Sequence, residues 1–287
     1  MPKFREYLPN YLFVLPQVIF FVLFLAWPVF RGVQISLFDW KIMANTQRFI
    51  GIQNYLEVWR DPNWWRVLRN SLTFTVLVMS INTSLALMVA LLIKQKFRGS
   101  AFMRAVFYLP SVLSVTVVGV IAFRVWDPQR GLLSYVWTGI LGQAMVQWWT
   151  PNTEMMILVL TTVWWTFGFP MLIFLSGLHA IPNTVYEAAS MDGAGAWQSF
   201  LRITLPLLTP TTLFVLSTQF MTHMQMFGQA YQLADGDQAQ SVYVYLFITS
   251  WKYFRFGYAA ALGVAVTVII MLVTRLIFSL FGRRFEY

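Results

Sequence analysis

Cysteine is absent from all 287 residues, so the chain forms no disulfide and offers no thiolate to a metal. Histidine is almost as scarce. His179 and His223 stand alone, without the spacing of a zinc site. Charge is scarce too: Lys, Arg, Asp and Glu make up 11% of the chain, against roughly 25% in soluble domains. The eleven acidic residues are Glu6, Asp39, Glu57, Asp61, Asp127, Glu154, Glu187, Asp192, Asp235, Asp237 and Glu286. All fall between long apolar runs or at their edges. An ion-driven carrier keeps a titratable carboxylate inside the membrane to couple ion to movement, and none is placed there. G-x4-G-K-[ST], G-x-S-x-G and H-E-x-x-H are also missing, which excludes a P-loop nucleotide site and two common hydrolytic patterns.

What remains is apolar. Hydrophobic residues make up 58% of the chain, the composition of an integral membrane protein. The net charge of +9 is spread singly or in short clusters, as around membrane spans, and does not suggest nucleic acid. Six apolar runs, 11–30, 71–93, 105–126, 155–178, 207–228 and 258–281, are each long enough to cross about 30 Å as a helix. They predict an all-α, polytopic membrane protein with six transmembrane helices in a single domain, 1–287. Gly168 and Pro170 predict a kink in span 4. Ser80, Asn82, Thr83 and Ser84, in the middle of span 2, read as bonding a neighbouring helix. Between spans, 31–70 is polar and of mixed sign, and 127–154 is Trp-rich with an interfacial helix expected over 131–146. Six spans put both termini on one side. Lys and Arg divide evenly, ten to each side, but the side holding the termini is shorter and denser. Its loop with Lys94, Lys96, Arg98 and Arg104 lacks acids, so this side is assigned to the cytoplasm.

The chain is organised around a polar-faced break, Pro182 to Pro206. Asn183 or Thr184 can cap a helix there, with Thr184-x-x-Glu187 as a capping box. Gly193 and Gly195 end it, and further helical turns run from Trp197 to Ile203. One reading is a surface helix whose Glu merely caps. The other is a docking helix, whose small residues let another surface approach the backbone. Glu187-Ala188-Ala189, three residues, Gly193, nine residues, then Ile203-x-Leu205-Pro206 resembles the E-A-A-x3-G-x9-I-x-L-P motif of membrane permease subunits of binding-protein-dependent ABC importers.

The resemblance extends along the chain. Tyr11-Leu12-Phe13-Val14-Leu15-Pro16, Trp27-Pro28, Ser36-Leu37-Phe38-Asp39, Phe49-x-Gly51-x-x-Asn54-Tyr55, Phe107-Tyr108-Leu109-Pro110 and Phe254-Arg255-x-Gly257-Tyr258-Ala259 are similar to the maltose-type and glycerol-phosphate-type permeases of carbohydrate importers. One departure is Asp235-Gly236-Asp237, where the family often has G-G-P. The resemblance implies a cytoplasmic coupling helix over 183–194, between spans 4 and 5, and ATPase docking through Glu187, Ala188, Ala189, Asp192 and Gly193. It implies a second homologous permease, a cytoplasmic ATPase dimer that carries the ATP and magnesium, an extracytoplasmic solute-binding protein and a sugar substrate. No cofactor or metal and no enzymatic activity are expected in this chain. The setting is the inner (cytoplasmic) membrane of a prokaryote, multi-pass, with both termini cytoplasmic. For the substrate pathway, Gln219, His223 and Met226 recur at i, i+4, i+7 on span 5. Trp165, Thr166 and Phe169 cluster at the span 4 kink. Aromatic faces with a few amides and hydroxyls suit a sugar. The same groups could instead bond partner helices and pack. Two other functions stay open: an ABC permease for a non-sugar solute, and an ion-coupled secondary transporter.

Overall fold

The computed structural model describes residues 3–41, 46–95, 98–150, 152–233 and 240–282, and they are mostly helical. In chain order the α-helices among them are α1 (Lys3–Phe21), α2 (Trp27–Ile35), α3 (Gln53–Arg60), α4 (Pro62–Lys94), α5 (Ser100–Tyr108), α6 (Val115–Trp126), α7 (Leu132–Ser134) and α8 (Glu154–Thr166). There follow α9 (Gly168–Ala180), α10 (Asn183–Met191), α11 (Ala196–Ser199), α12 (Leu205–Leu207), α13 (Thr209–Met224), α14 (Gly228–Leu233), α15 (Val242–Trp251) and α16 (Phe256–Gly282). Lys96, the Asp235-Gly236-Asp237 departure, Arg283, Arg284 and Glu286 lie outside the described residues. The all-α expectation needs one correction, a two-stranded antiparallel hairpin of β1 (Phe38–Lys41) and β2 (Thr46–Phe49).

Three described helices are long and apolar enough to cross a membrane unaided: Tyr11–Ile35, Pro62–Lys94 and Phe256–Leu280. Three further pairs qualify only together. They are bent by 101° (Ser100–Val112 and Val115–Trp126), 46° (Glu154–Thr166 and Gly168–Ala180) and 63° (Ala196–Leu207 and Thr209–Met224). Two compact units divide the chain, Met1–Trp64 with Leu246–Val268, and Trp65–Tyr245 with Ile269–Tyr287.

In the first unit α1 and α2 join through a π-helical turn, Val22–Ala26, in which the Trp27 N–H reaches the Val22 carbonyl. Pro28 follows at once and has no N–H to give the preceding turn. The wider turn re-pairs the backbone there, as apolar surroundings demand. The apolar face of Tyr11–Ile35 is unburied throughout. The hairpin occupies part of the stretch expected to be a polar loop. Phe38 pairs with Phe49, their rings edge to face at 5.3 Å, and Asp39 pairs with Arg48. Buried Asn54 donates to the carbonyls of Ser36 (2.8 Å) and Phe38 (3.0 Å), which fixes the chain as it enters the hairpin.

Two stretches distant in sequence meet in this unit. The Tyr258 hydroxyl donates to Asp61 Oδ2 at 2.6 Å, and Arg255 reaches both Glu57 oxygens at 2.7 and 2.8 Å. The Arg255–Glu57 side chains are 40% and 46% exposed, so solvent screens the pair. Glu57→Gln is expected to lower stability by no more than about 1 kcal/mol. Thermal melting at low and high salt checks this, and the difference should shrink as salt rises.

In the second unit the core lies between α4, α9 and the start of α13. Ala86, Val89, Ala90 and Ile93 present one face of α4 to Met171, Phe174, Leu175 and Leu178 on α9, with Leu208 and Val215 closing the cluster. Both helices show the i, i+3, i+4, i+7 spacing of a buried stripe. The run 105–126, expected as one span, is broken within its length. Pro110 lies in a 3-10 turn, Leu109–Val112, and Leu113 is extended before Ser114 caps α6. Span 5 is also shorter than expected. Its helix α13 has 16 residues and stops at Met224, a length of about 24 Å. The interfacial helix expected over 131–146 persists only to Ile140. Gly142 then takes a φ of +64° and the chain leaves the helical path.

Candidate functional site

The polar residues in the middle of α4 and α13 meet. Asn82 is wholly buried, and its Nδ2 donates to Thr166 Oγ1 (2.8 Å) on α8 and to Gln219 Oε1 (3.1 Å) on α13. Gln219 returns a bond from Nε2 to Thr83 Oγ1 (3.1 Å), and its Oε1 also accepts from His223 Nε2 (3.2 Å). Thr166 passes its own proton to the Thr162 carbonyl at 2.7 Å. Three helices are thereby joined by interhelical bonds worth about 0.6 kcal/mol each on average in membranes. The expectation that Asn82 and Thr83 bond a neighbouring helix is met. Asn82 Oδ1 is buried with no partner among the described residues.

Beside this network lies a cavity of about 180 Å³, lined by Ser111, Trp165, Thr166, Phe169, Pro170, Thr218, Gln219, Thr222 and His223. Five of the six substrate-pathway residues named from sequence are brought together here: Trp165, Thr166, Phe169, Gln219 and His223. Met226 is not. Gln225 ends α13 with φ −90° and ψ 19°, so the helical register that placed Met226 on the same face stops two residues short of it. Met226 is buried elsewhere, its carbonyl accepting from Ser241 Oγ at 2.7 Å.

Trp165 has a second task. Its indole N–H donates to the Leu113 carbonyl (3.1 Å), and Ser111 Oγ donates to the Trp165 carbonyl (3.1 Å). These bonds satisfy backbone at the break before α6. Sequence reasoning missed Ser111, Thr218 and Thr222. The latter two sit one residue before and three after Gln219 on the same helix, so the spacing could have shown them.

The other candidate surface is α10. The capping box is not formed. Pro182, in extended geometry, is the N-cap and supplies no side-chain acceptor, so Thr184 lies inside the helix. The C-terminus follows expectation. Gly193 has φ +79°, its N–H reaches Ser190 O at 3.1 Å, and the Ala194 N–H reaches Ala189 O at 2.9 Å. That is the Schellman arrangement, which needs a residue free to turn left-handed. Glu187, Ala188, Asp192 and Gly193 are exposed, whereas Ala189 is buried and faces inward. From behind, Tyr186 bonds Thr204 Oγ1 at 3.1 Å and carries the Lys94 ammonium 4.1 Å over its ring. Met191 (87%) and Trp197 (70%) add exposed apolar surface that sequence reasoning missed. Further along, a π-turn, Phe200–Thr204, immediately precedes Leu205-Pro206, repeating the device seen before Pro28.

Long apolar helices, bent pairs and a buried polar cluster define a multi-pass helical membrane protein. Residues 82–287 match the family of binding-protein-dependent transport system inner membrane components. The chain is 32% identical to the probable ABC transporter permease protein YesP of Bacillus subtilis, over 96% of this chain and 91% of that protein. It is 29% identical to the arabinooligosaccharides transport system permease protein AraP of the same organism, over 95% and 88%. It superposes on a chain of a bacterial alginate ABC transporter, solved in complex with an alginate pentasaccharide-bound periplasmic protein, with a TM-score of 0.86. That match covers 99% of this chain and 98% of the other at 22% identity, and shows a shared fold. The chain belongs to the binding-protein-dependent transport system inner membrane component family.

Proposed function

We propose that the chain is the permease subunit of an ATP-driven importer that carries a sugar or sugar derivative into the cytoplasm. Each bent helix pair crosses the membrane once, giving six spans with both termini cytoplasmic. A second homologous permease completes the pathway, and an extracytoplasmic binding protein delivers the solute. Helix α10 is the cytoplasmic coupling helix, docking on an ATPase subunit through Glu187, Ala188, Asp192 and Gly193, flanked by Met191 and Trp197. Ala189 acts from the inner face, packing α10 against its support. The observation that carries the docking reading is the two-sidedness of this short helix. Its outer face is exposed and partly apolar, as interaction surfaces are. Its inner face is anchored through Tyr186 to Lys94 and Thr204, so force on the outer face passes into the ends of α4 and the segment leading to α13.

The sugar reading rests on the family, on the saccharide-transporting relative and on the cavity beside Asn82. Its lining combines the aromatic faces of Trp165 and Phe169 with the Gln219 amide, the His223 ring and four hydroxyl side chains. Ligand pockets run from roughly 300 to 1,000 Å³. The cavity is smaller, so the two sides of the 46° bend must part to admit a ring.

Gln219→Ala is expected to lower uptake of the transported sugar at least about tenfold, because it removes the acceptor and donor at the centre of the network. Chain abundance should be unchanged. Labelled-sugar uptake by cells carrying the importer, with immunoblotting of membranes, is the measurement. Undiminished uptake would move the pathway away from this cavity. Co-purification with an ATPase and a binding protein, followed by sugar-stimulated ATP hydrolysis, tests the assembly. Stimulation by a non-sugar solute instead would replace the substrate class.

A further inference from the structure

A second and larger cavity, about 590 Å³, lies in the same unit and shares no lining residue with the first. It is bounded by Phe123 and Asp127 at the end of α6, Gln129, Gln147 and Trp149 of the segment that follows, and Tyr231 and Gln232 of α14. Its volume falls within the range of ligand pockets, where the inner cavity does not. With 100–126 crossing the membrane once, this end of α6 is opposite the Lys94–Arg104 loop and opens outward.

The lining is built for polyhydroxylated rings. Phe123 and Trp149 stack at 4.9 Å and 9°, forming a broad flat aromatic face. Tyr231 stacks on Phe227 at 5.4 Å. Such faces take the apolar side of a sugar ring and leave its hydroxyls to polar neighbours. Three primary amides surround them, Gln129, Gln147 and Gln232, and none uses its side chain in a hydrogen bond to the described residues. Gln232 is held by position instead, its Oε1 lying against the bare Cα of Gly119 on α6. Asp127 is fixed as an anion. Oδ1 accepts from the backbone N–H of Gln129 (2.7 Å) and Arg130 (2.9 Å), and these bonds lower its pKa. Among the described residues no group bonds Oδ2, which can accept from sugar hydroxyls. Arg130 and Arg124 act on Asp127 from outside the lining, and among the lining residues Asp127 carries the only charge, so a carboxylated sugar bound there would meet a fixed negative charge at contact.

We propose that this cavity is an outer saccharide-binding vestibule, which takes a neutral oligosaccharide of two or more rings before it passes to the inner cavity. The proposal rests on the sugar-import reading for its role, and on its own lining for its chemistry. The full chain in lipid nanodiscs is titrated with maltotriose and with a mannuronate trimer, using saturation-transfer NMR of the sugar. Maltotriose should bind, and Gln232→Ala should weaken it about tenfold. Gln219→Ala, in the inner cavity, should leave that binding unchanged. The mannuronate trimer should bind at least about tenfold more weakly than maltotriose, and Asp127→Asn, which keeps the Oδ1 acceptor, should narrow the gap.

Absence of maltotriose binding, indifference to Gln232→Ala, or loss of the signal in Gln219→Ala would each overturn the vestibule. Tighter binding of the acidic trimer would overturn the neutral class. In the assembled importer, Gln232→Ala should raise the KM for uptake and leave the maximal rate intact. A wild-type importer that takes up no saccharide speaks against the transport reading, while the nanodisc titration still decides the vestibule.

Discussion

Gly193→Asp should reduce uptake to background while the chain still reaches the membrane at normal abundance. The structure separates the two effects. Gly193 turns left-handed at φ +79°, and a Cβ built there meets nothing within 4 Å. The folding cost is therefore only that of an L-residue in this conformation, about 1–2 kcal/mol, and Asp is among the residues that visit it. The position is exposed at the C-terminal end of α10, where a partner surface would approach the backbone. A carboxylate there adds bulk and a desolvation penalty at the contact, and repels the helix's own negative end. Gly193→Asn serves as the control. It shares the shape and the left-handed tolerance without the charge, and should retain part of the activity. Fluorescence-detected size exclusion measures assembly of the chain, and labelled-sugar uptake measures transport. Wild-type uptake by the Asp variant would remove α10 from the ATPase contact.

Local signals that carry their own geometry were legible in the sequence. Gly168 and Pro170 marked a bend that appears one residue earlier, at Phe167. Gly193 marked the end of α10. The mid-span polar residues of α4 marked a helix contact, and five of six proposed pathway residues converge on one cavity. What the sequence left obscure depends on partners distant along the chain. The break at Leu113–Ser114 is unremarkable in an apolar run, because its backbone is satisfied by Trp165, some fifty residues away. Thr184 looks like a cap until Pro182 takes the position, since the choice depends on where the preceding chain leaves α9. Met226 followed the helical period, but that period ended at Met224. The hairpin escaped notice because its pairing crosses from Phe38 to Phe49, and its anchor Asn54 acts from outside either strand. The vestibule is assembled from 123–149 and 231–233, segments with no shared pattern, and only the fold brings them to one cavity.

Gly168→Val should prevent the chain from accumulating as a folded species. Gly168 opens α9 immediately after the 46° bend. A Cβ there would lie 2.3 Å from the Phe107 carbonyl oxygen and 2.8 Å from Tyr108 Cα. Both are backbone atoms, so no flexible side chain can swing aside. Nor can the backbone shift freely. Just beyond it, Ser111 and Trp165 bond across the same junction in both directions. Overpacking of this kind costs about 3 kcal/mol or more, a large share of a domain's stability of about 5–15 kcal/mol. Ser111→Ala, by contrast, removes one hydrogen bond, worth about 1 kcal/mol, and should fold. Thermal melting in detergent and size-exclusion profiles distinguish the two. A valine variant that melts within a few degrees of wild type would show that α5 and α9 leave room for a side chain at this junction. The function follows from the same contact. Trp165 and Phe169 stand on either side of the bend, and the approach at Gly168 sets the angle between them. A substitution there therefore alters the aromatic walls of the inner cavity even in a chain that survives, and second-site changes that restore folding should restore uptake only when they also restore the bend.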